Sequence, residues 1–199
     1  SGNGLYEMNG EHVFRGDKVN NYVKLSKGLV RIVKITSDNK ILLIPALEEY
    51  YSDVWDDRYN LDMGYSSGIN LYRPSRMRDM LANIYSDKLK DFSLLADVDR
   101  QKLTTFSFCI GKRSAEEENN TGAVECADSL DNQMIGLLTA SDYINASTDA
   151  NCKSTVSKSC QNYNYLKIKN TAWWLGTAAS FDTNDVYYVN EDGYLLYSN

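Results

Sequence analysis

Residues 170–199 read NTAWWLGTAASFDTNDVYYVNEDGYLLYSN, and the turn signals in this stretch decide the fold class. Val186–Val189 and Tyr194–Tyr197 are rich in β-branched and aromatic residues and flank the turn 190–193, which contains Asp-Gly. An Asp-Gly pair between two such runs is a strong local signal for a β-hairpin. With Ala172–Gly176 as a further strand, the C-terminal end of the chain is predicted to form antiparallel sheet.

The adjacent tryptophans of this stretch must serve different surfaces. Successive residues of a strand point to opposite faces, so Trp173 and Trp174 cannot line one surface together. We expect both to be mainly structural. Trp174 is the better candidate to border a site, either beneath the helix that carries Met77 and Leu81 or open to a ligand.

The first 45 residues predict strands joined by turns. Leu5–Met8 and His12–Arg15 flank Asn9-Gly10, a dipeptide that favours a two-residue hairpin turn. Leu29–Ile35 alternates incompletely between apolar and polar residues, which is typical of a central strand buried on both faces. We therefore expect an antiparallel meander here. The single histidine, His12, is assigned a structural role within its strand.

Two helices are expected between these sheet regions. Pro74 suits a first helical turn, and a stripe at spacings of three and four follows it, formed by Met77, Met80, Leu81 and Ile84. Ser141 is predicted to cap a second, short helix that carries Tyr143 and Ile144. The pattern predicts one α+β domain over residues 1–199, with residues 1–4 as a linker or a remnant of trimming.

The four cysteines indicate the compartment. Four cysteines allow three disulfide connectivities. Joining Cys109 to Cys126 and Cys152 to Cys160 closes the shortest loops. The alternative is a zinc site, but zinc favours short cysteine knuckles or histidine partners. Disulfides are the preferred interpretation, and they imply an oxidising, extracellular environment. They would also staple the charged insertion that follows Cys109.

Composition excludes several classes of partner. The chain has 199 residues and a formal charge of −6, which disfavours binding to nucleic acid or to anionic lipid. The longest apolar run, Ile41–Ile44, is the length of a strand, so no direct membrane insertion by this segment is expected. The 15 tyrosines, together with many asparagines, suit a recognition surface. A β-sheet with one solvent-exposed face is the alternative explanation for them.

Most candidate site residues lie in the irregular, acidic and aromatic region from residue 48 to residue 71. The candidates for ligand binding are Tyr50, Tyr51 and Trp55 in this region and Trp174 in the C-terminal strand. A second interpretation places acid–base chemistry of the glycosidase type on the carboxylates around Trp55, namely Asp53, Asp56 and Asp57. The competing interpretation of these carboxylates is a solvated loop.

Several segments resemble a known group of domains. They read FRGDKVNNYVKLSKGLVRIVKI, IGLLTASDYINASTDANC, KSCQNYNYL, AWWLGTAAS and VYYVNEDGYL, at residues 14–35, 135–152, 158–166, 172–180 and 186–195. They resemble an uncharacterised domain of Firmicutes-type bacterial surface proteins. That domain is similar in pattern to the C-type-lectin-like superfamily, whose fold formylglycine-generating enzymes also use.

This resemblance implies a compact C-type-lectin-like α+β domain with its termini in one sheet, two main helices and a long loop region as the binding face. The calcium-binding tripeptides of sugar-binding lectins, Glu-Pro-Asn and Gln-Pro-Asp, do not occur here. No catalytic residue, metal ligand or cofactor site carries over from the resemblance.

The leading functional hypothesis is a non-catalytic recognition or adhesion domain, extracellular and displayed on a bacterial cell surface or a surface fibre. Its expected partner is a host or cell-surface protein or a glycan. The alternative is a structural, pilin-like subunit or spacer whose partners are other subunits of a fibre. A glycoside-active enzyme is the third hypothesis.

Overall fold

The structure is a computed structural model that describes residues 2–46, 53–85 and 96–199, without the side chains of residues 84 and 85. Within these residues the strands are β1 Gly4–Met8, β2 Glu11–Arg15, β3 Tyr22–Lys24, β4 Leu29–Ile35, β5 Ile41–Pro45, β6 Phe106–Cys109, β7 Lys112–Arg113, β8 Ser129–Gln133, β9 Trp173–Ala179, β10 Val186–Val189 and β11 Leu195–Ser198. The helices are α1 Arg76–Tyr85, α2 Asp97–Arg100 and α3 Ala140–Ala146. The α+β class is confirmed.

The N-terminal sheet is built around β4. The predicted hairpin is confirmed, since Met8 pairs with Glu11 and the turn residues Asn9 and Gly10 have φ values of 54° and 77°. Strand β4 pairs with β5 along its length and with β3 and β2 near its two ends, so it is the predicted central strand.

The expected meander is wrong in one respect, because β2 pairs with β4 and not with β3. After β2 the chain leaves the sheet at Gly16, which forms a bridge with Asn164 from the last quarter of the chain. Gly16 has a φ of 111°, and a Cβ atom there would lie 2.1 Å from the Asn3 side chain. Only glycine fits this crossing, and the chain re-enters the sheet at the other end of β4.

The C-terminal sheet has the order β11-β10-β9-β7. The hairpin predicted around Asp192-Gly193 is confirmed by the pairing of Val189 with Leu195. Its fourth strand, β7, comes from the charged insertion and pairs with β9 in parallel. The two ends of the chain lie in different sheets, so the expectation of a shared terminal sheet, which followed from the resemblance, is not met. A separate antiparallel pair joins β6 and β8.

The helix caps agree with the sequence only in part. Helix α1 buries Met77, Met80 and Leu81 as predicted, and the Ser75 hydroxyl accepts a hydrogen bond from the Arg78 backbone N–H at 3.1 Å. The N-cap of helix α3 is Thr139, two residues before the predicted Ser141.

Thr139 and Asp142 form a reciprocal capping box at the start of α3. The Thr139 hydroxyl accepts from the Asp142 backbone N–H at 3.1 Å, and the Asp142 carboxylate accepts from the Thr139 backbone N–H at 2.9 Å. Ser141 therefore lies inside the helix, where its hydroxyl bonds to the Glu125 carboxylate. The prediction of Ser141 as the cap is wrong because the Thr-x-x-Asp pattern satisfies the free N–H groups first.

Two hydrophobic clusters lie on the two faces of β9. The first surrounds Tyr143 and Leu175, and Trp173 packs against it. The second contains Trp55 and the buried residues of α1, and Trp174 packs against it. The prediction that the two tryptophans serve opposite faces is confirmed. No helix in the described part of the chain has the length and hydrophobicity to cross a membrane.

Candidate functional site

An open cleft of about 640 Å³ lies where the last quarter of the chain meets the N-terminal sheet. Its lining comes from the segment 161–167 and from Asp17, Arg31 and Asp149. We call it the 161–167 cleft. Its lining is almost wholly polar, apart from the rings of Tyr163 and Tyr165.

A disulfide and a buried amide hold the segment in place. Cys152 and Cys160 are bonded, with their Cα atoms 4.5 Å apart, and Cys160 lies within a 3-10 turn at Lys158–Gln161. The buried Asn164 side chain donates to the carbonyls of Tyr143 and Cys160 at 2.9 and 2.8 Å. These bonds tie the segment to the core on either side of its tip.

Tyr163 forms that tip and has an unusual backbone. Its φ is 47°, and 60% of the residue is exposed. An aromatic residue rarely adopts this left-handed region, because its Cβ crowds the backbone, and such a residue persists only where its surroundings impose it. The Tyr163 carbonyl accepts from the Thr148 N–H at 3.3 Å, and the Asn162 carbonyl accepts from the Ser147 hydroxyl at 2.7 Å. An exposed ring is thus presented on a fixed backbone.

Arg31 supplies a cation to the cleft lining, in a position fixed by its neighbours. Its guanidinium lies 4.6 Å from the ring centroids of both Tyr22 and Tyr165. Its Nε donates to Asn21 Oδ1 at 2.9 Å. Burial lowers the pKa of Arg31, and the nearby tyrosine hydroxyls partly offset this, but a guanidinium keeps its charge at any ordinary pH. Burial raises the pKa of Tyr165, so its hydroxyl stays neutral.

Two further charged groups of the cleft, Asp149 and Lys167, are held by amide side chains. The Asp149 carboxylate accepts from Asn162 Nδ2 and from the Asn151 N–H, both at 2.9 Å, and these bonds hold the pKa of Asp149 below its ordinary value. Lys167 Nζ donates to Gln161 Oε1 at 2.8 Å. The cleft therefore offers hydrogen-bond donors and acceptors in fixed positions.

A second cavity, of about 420 Å³, lies between the N-terminal sheet and the β6/β8 pair. Lys34 projects into it and makes ion pairs with Glu11 at 3.0 Å and Asp142 at 3.1 Å. Burial alone would lower the pKa of Lys34, but these two carboxylates outweigh it and raise the pKa. Lys34, Glu11 and Asp142 already pair with one another at its centre, so we interpret this cavity as a structural contact between β2, β4 and α3.

Of the four ligand-binding candidates from the sequence, the structure describes Trp55 and Trp174. Trp55 is 1% exposed, and its Nε1 donates to the Ile69 carbonyl at 3.1 Å, so it is a core residue with no surface for a ligand. Trp174 is half-buried and lies 5.9 Å from the Trp55 ring and 5.6 Å from the Tyr188 ring. Tyr50 and Tyr51 lie outside the described residues.

The carboxylates around Trp55 are engaged by arginines. Asp56 forms a two-pronged pair with Arg58, with its closest contact at 2.8 Å. Burial would raise the pKa of Asp56, but the bonds from Arg58 and from a backbone N–H lower it overall. Asp53 and Asp57 both pair with Arg76, at 3.2 and 2.9 Å. A glycosidase general acid needs a raised pKa, which is opposite to the shift at Asp56.

The sequence reasoning missed the cleft because its parts are far apart in the chain. Arg31 lies in β4, while Tyr163 and Asn164 lie more than 130 positions later. One local signal was present, since residues 162–165 read Asn-Tyr-Asn-Tyr directly after the second disulfide. Tyrosine and asparagine, the two residue types whose abundance suggests a recognition surface, are most concentrated in this segment.

Comparison of the chain with protein-family models, with curated proteins and with solved structures gave no match in any of the three.

Proposed function

We propose that this chain is a non-catalytic recognition domain that works in an oxidising, extracellular setting and binds its partner with the 161–167 cleft. The observation that carries the proposal is Tyr163, whose exposed ring is fixed in a left-handed backbone conformation at the cleft edge. Backbone strain of this kind costs about 1–3 kcal/mol and is concentrated at functional sites.

The disulfides support the setting. Cys109–Cys126 and Cys152–Cys160 both form, and the described part of the chain has no free cysteine. Paired cysteines in a small domain are typical of proteins outside the reducing cytosol. The proposed place of display is a bacterial cell surface, which is what the resemblance of the sequence segments implies.

The chemistry of the cleft supports binding. Three of its charged groups, Arg31, Asp149 and Lys167, are held by neighbouring side-chain amides. The lowered pKa of Asp149 makes that carboxylate a hydrogen-bond acceptor with little tendency to take up a proton. A tyrosine ring contributes contact area at a small cost in side-chain entropy, which suits reversible recognition. The proposed partner is a cell-surface protein or glycan.

One observation favours the alternative of a fibre subunit. Leu61 is 88% exposed at the tip of a turn that the buried Asn60 side chain holds through a 2.6 Å bond to the Gly68 carbonyl. Tyr59 and Tyr65, which are 58% and 51% exposed, adjoin this turn, and a contiguous exposed surface of apolar and aromatic residues is suited to contact with another subunit. If the chain assembles through it, light scattering will show concentration-dependent oligomers that Leu61→Ser abolishes.

The test of recognition compares two tyrosines of equal exposure. The folded domain is applied to bacterial and host cells and to arrays of immobilised glycans and surface proteins, as wild type, Tyr163→Ala and Tyr59→Ala. Tyr163 and Tyr59 are 60% and 58% exposed, but only Tyr163 lies at the cleft. We expect Tyr163→Ala to weaken binding at least tenfold, roughly a hot-spot effect, and Tyr59→Ala to leave it unchanged.

If Tyr59→Ala weakens binding and Tyr163→Ala does not, the recognition surface lies outside the cleft. A wild-type domain that binds none of the cells, glycans or proteins would contradict the recognition function itself.

A further inference from the structure

The geometry of the 161–167 cleft points to a neutral saccharide as its ligand, with one pyranose ring seated against Tyr163 and no metal ion required. This inference rests on the proposed function, because it takes the cleft to be the recognition site. Four features of the lining carry it.

The first feature is charge balance. The lining contains two carboxylates, Asp17 and Asp149, and two cations, Arg31 and Lys167. A site for phosphate, sulfate or a sugar acid needs an excess of cationic donors. Arg31 does not supply that excess, because its guanidinium packs on two tyrosine rings and its Nε, Nη1 and Nη2 already donate to Asn21, Tyr165 and Val19. The cleft is therefore matched to a ligand without net charge.

The second feature is the mixture of donors and acceptors. Gln161 and Asn162 carry amides with both functions, the Asp149 carboxylate accepts, and the Lys167 ammonium donates. A sugar hydroxyl is at once a donor and an acceptor, so each one can bridge two such groups. A purely apolar ligand would leave these groups desolvated and unpaired, which costs free energy.

The third feature is the Tyr163 ring. The apolar C–H face of a pyranose can lie on an exposed aromatic face while its hydroxyls reach the polar wall. Because the backbone of Tyr163 is fixed, little conformational entropy is lost when the sugar is bound. The cleft volume of about 640 Å³ is in the range of small-ligand sites.

The fourth feature separates a saccharide from a peptide. An extended peptide binds by adding main-chain hydrogen bonds to a free strand edge. Along the segment the Asn162 N–H bonds to Ser159, the Tyr165 N–H to Gly16 and the Leu166 N–H to Asn164. The carbonyls of Asn162 and Tyr163 are also occupied. The cleft therefore recognises its ligand through side chains.

Each carboxylate oxygen of Asp149 already accepts a hydrogen bond, one from Asn162 Nδ2 and one from the Asn151 N–H. Asp149 is therefore a poor ligand for a metal ion. In the part of the chain that the structure describes, no three acidic, histidine or cysteine side chains come together as a metal site. We therefore expect saccharide binding to persist in EDTA.

The experiment is a titration of the 15N-labelled domain, in EDTA, with three sets of probes. They are neutral oligosaccharides of glucose, galactose, mannose and N-acetylglucosamine, sialylated or uronate-containing oligosaccharides, and unstructured peptides. Amide shifts at Asn162, Tyr163 and Asn164 report on the cleft. We expect at least one neutral oligosaccharide to shift them, with Tyr163→Ala weakening its binding at least tenfold, Tyr163→Phe less than about threefold and Tyr59→Ala not at all.

Cleft shifts caused only by acidic sugars or only by peptides would overturn the neutral saccharide and leave the recognition function standing. Binding that EDTA abolishes would overturn the metal-free site. If no probe shifts the cleft and binding to cells is also insensitive to Tyr163→Ala, the inference and the proposed function both fail.

Discussion

Arg113 Nη1 donates to Glu125 Oε1 across 3.1 Å, and neither side chain has any exposed surface. The same nitrogen also donates to the Ser141 hydroxyl at 3.0 Å, and Nη2 donates to the Glu117 carbonyl at 2.6 Å. The charged insertion after Cys109 is thus folded around a buried cation. Its order depends on this pair as well as on the disulfide.

Glu125→Gln is expected to destabilise the protein by about 3–5 kcal/mol, because it leaves the Arg113 charge buried without a counter-ion. Urea unfolding measures the change. The matched control is Asp128→Asn, which removes the charge from an exposed pair with Arg73 at nearly the same distance, 3.0 Å. That change is expected to cost less than about 1 kcal/mol. Equal losses in the two variants would contradict the buried-charge argument.

Lys34→Met is expected to cost about 3 kcal/mol near neutral pH, because Glu11 and the largely buried Asp142 lose their cation. Burial opposes ionisation of Asp142, yet Lys34 and the capping bonds hold its pKa below the ordinary value. Because the pKa of Asp142 is depressed in the folded state, its ionised carboxylate stabilises the fold above about pH 4. This stabilisation is lost as the pH falls through the folded-state pKa. The raised pKa of Lys34 stabilises the fold below about pH 10 and is lost only above that.

The wild-type contribution of this triad is therefore flat from about pH 5 to about pH 10. In Lys34→Met the pKa of Asp142 rises, so the penalty relative to wild type is expected to shrink as the pH falls towards about 4. Urea midpoints at several pH values measure it. Lys40→Met, which opens the exposed 2.9 Å pair with Asp38, serves as the control and is expected to cost less than about 1 kcal/mol. A penalty independent of pH would refute the electrostatic account.

Replacing both cysteines of one disulfide with serine is expected to lower stability in either case but to weaken ligand binding in only one. Loop-closure entropy predicts a loss of about 3 kcal/mol for Cys109–Cys126 and about 2.5 kcal/mol for Cys152–Cys160. Only the second disulfide holds the segment 161–167, because Cys160 directly precedes it. We expect both variants to unfold at lower urea, but only the one lacking Cys152–Cys160 to bind ligand more weakly at a temperature where each is folded. The reverse order of binding losses would argue against the cleft.

Tyr163→Gly is expected to change the unfolding free energy by less than about 1 kcal/mol while abolishing ligand binding. Glycine relieves the cost of a left-handed residue, about 1–2 kcal/mol, and adds a similar entropic cost in the unfolded chain. The converse change, Gly16→Ala, places a Cβ atom against Asn3 in a backbone with φ of 111° and is expected to destabilise by more than about 1 kcal/mol. A large stability loss in Tyr163→Gly would mean that the ring has a packing role.

Local patterns predicted the elements that local interactions determine. The hairpins at Asn9-Gly10 and Asp192-Gly193 follow from turn residues that supply a positive φ, and both were correctly placed. The opposite orientation of Trp173 and Trp174 follows from strand geometry alone. The α1 stripe follows from helical periodicity, and the disulfide pairing follows from the shortest loops.

The elements that distant residues determine were missed. Arg113 follows Lys112 in a charged segment, and nothing local shows that its side chain is enclosed by the insertion and α3. In the same way, Arg31 reads as a polar residue of a mostly apolar strand. Its role at the cleft depends on Tyr165, 134 positions away. The place of β7 beside β9 is likewise fixed only by the completed fold.

The crossing of Gly16 and Asn164 has a kinetic consequence. The Arg15 guanidinium donates to the Ser147 carbonyl, 132 positions later, and the Arg31 guanidinium reaches the Tyr165 carbonyl across 134 positions. Contacts between such distant parts of a chain form late, because the entropy of closing the intervening loop opposes them until the rest of the structure is in place. During synthesis, the cleft cannot exist before residue 167 has been added. A cut near the middle of the chain would separate Asp17 and Arg31 from Asp149 and the segment 161–167, so neither half would contain the complete cleft.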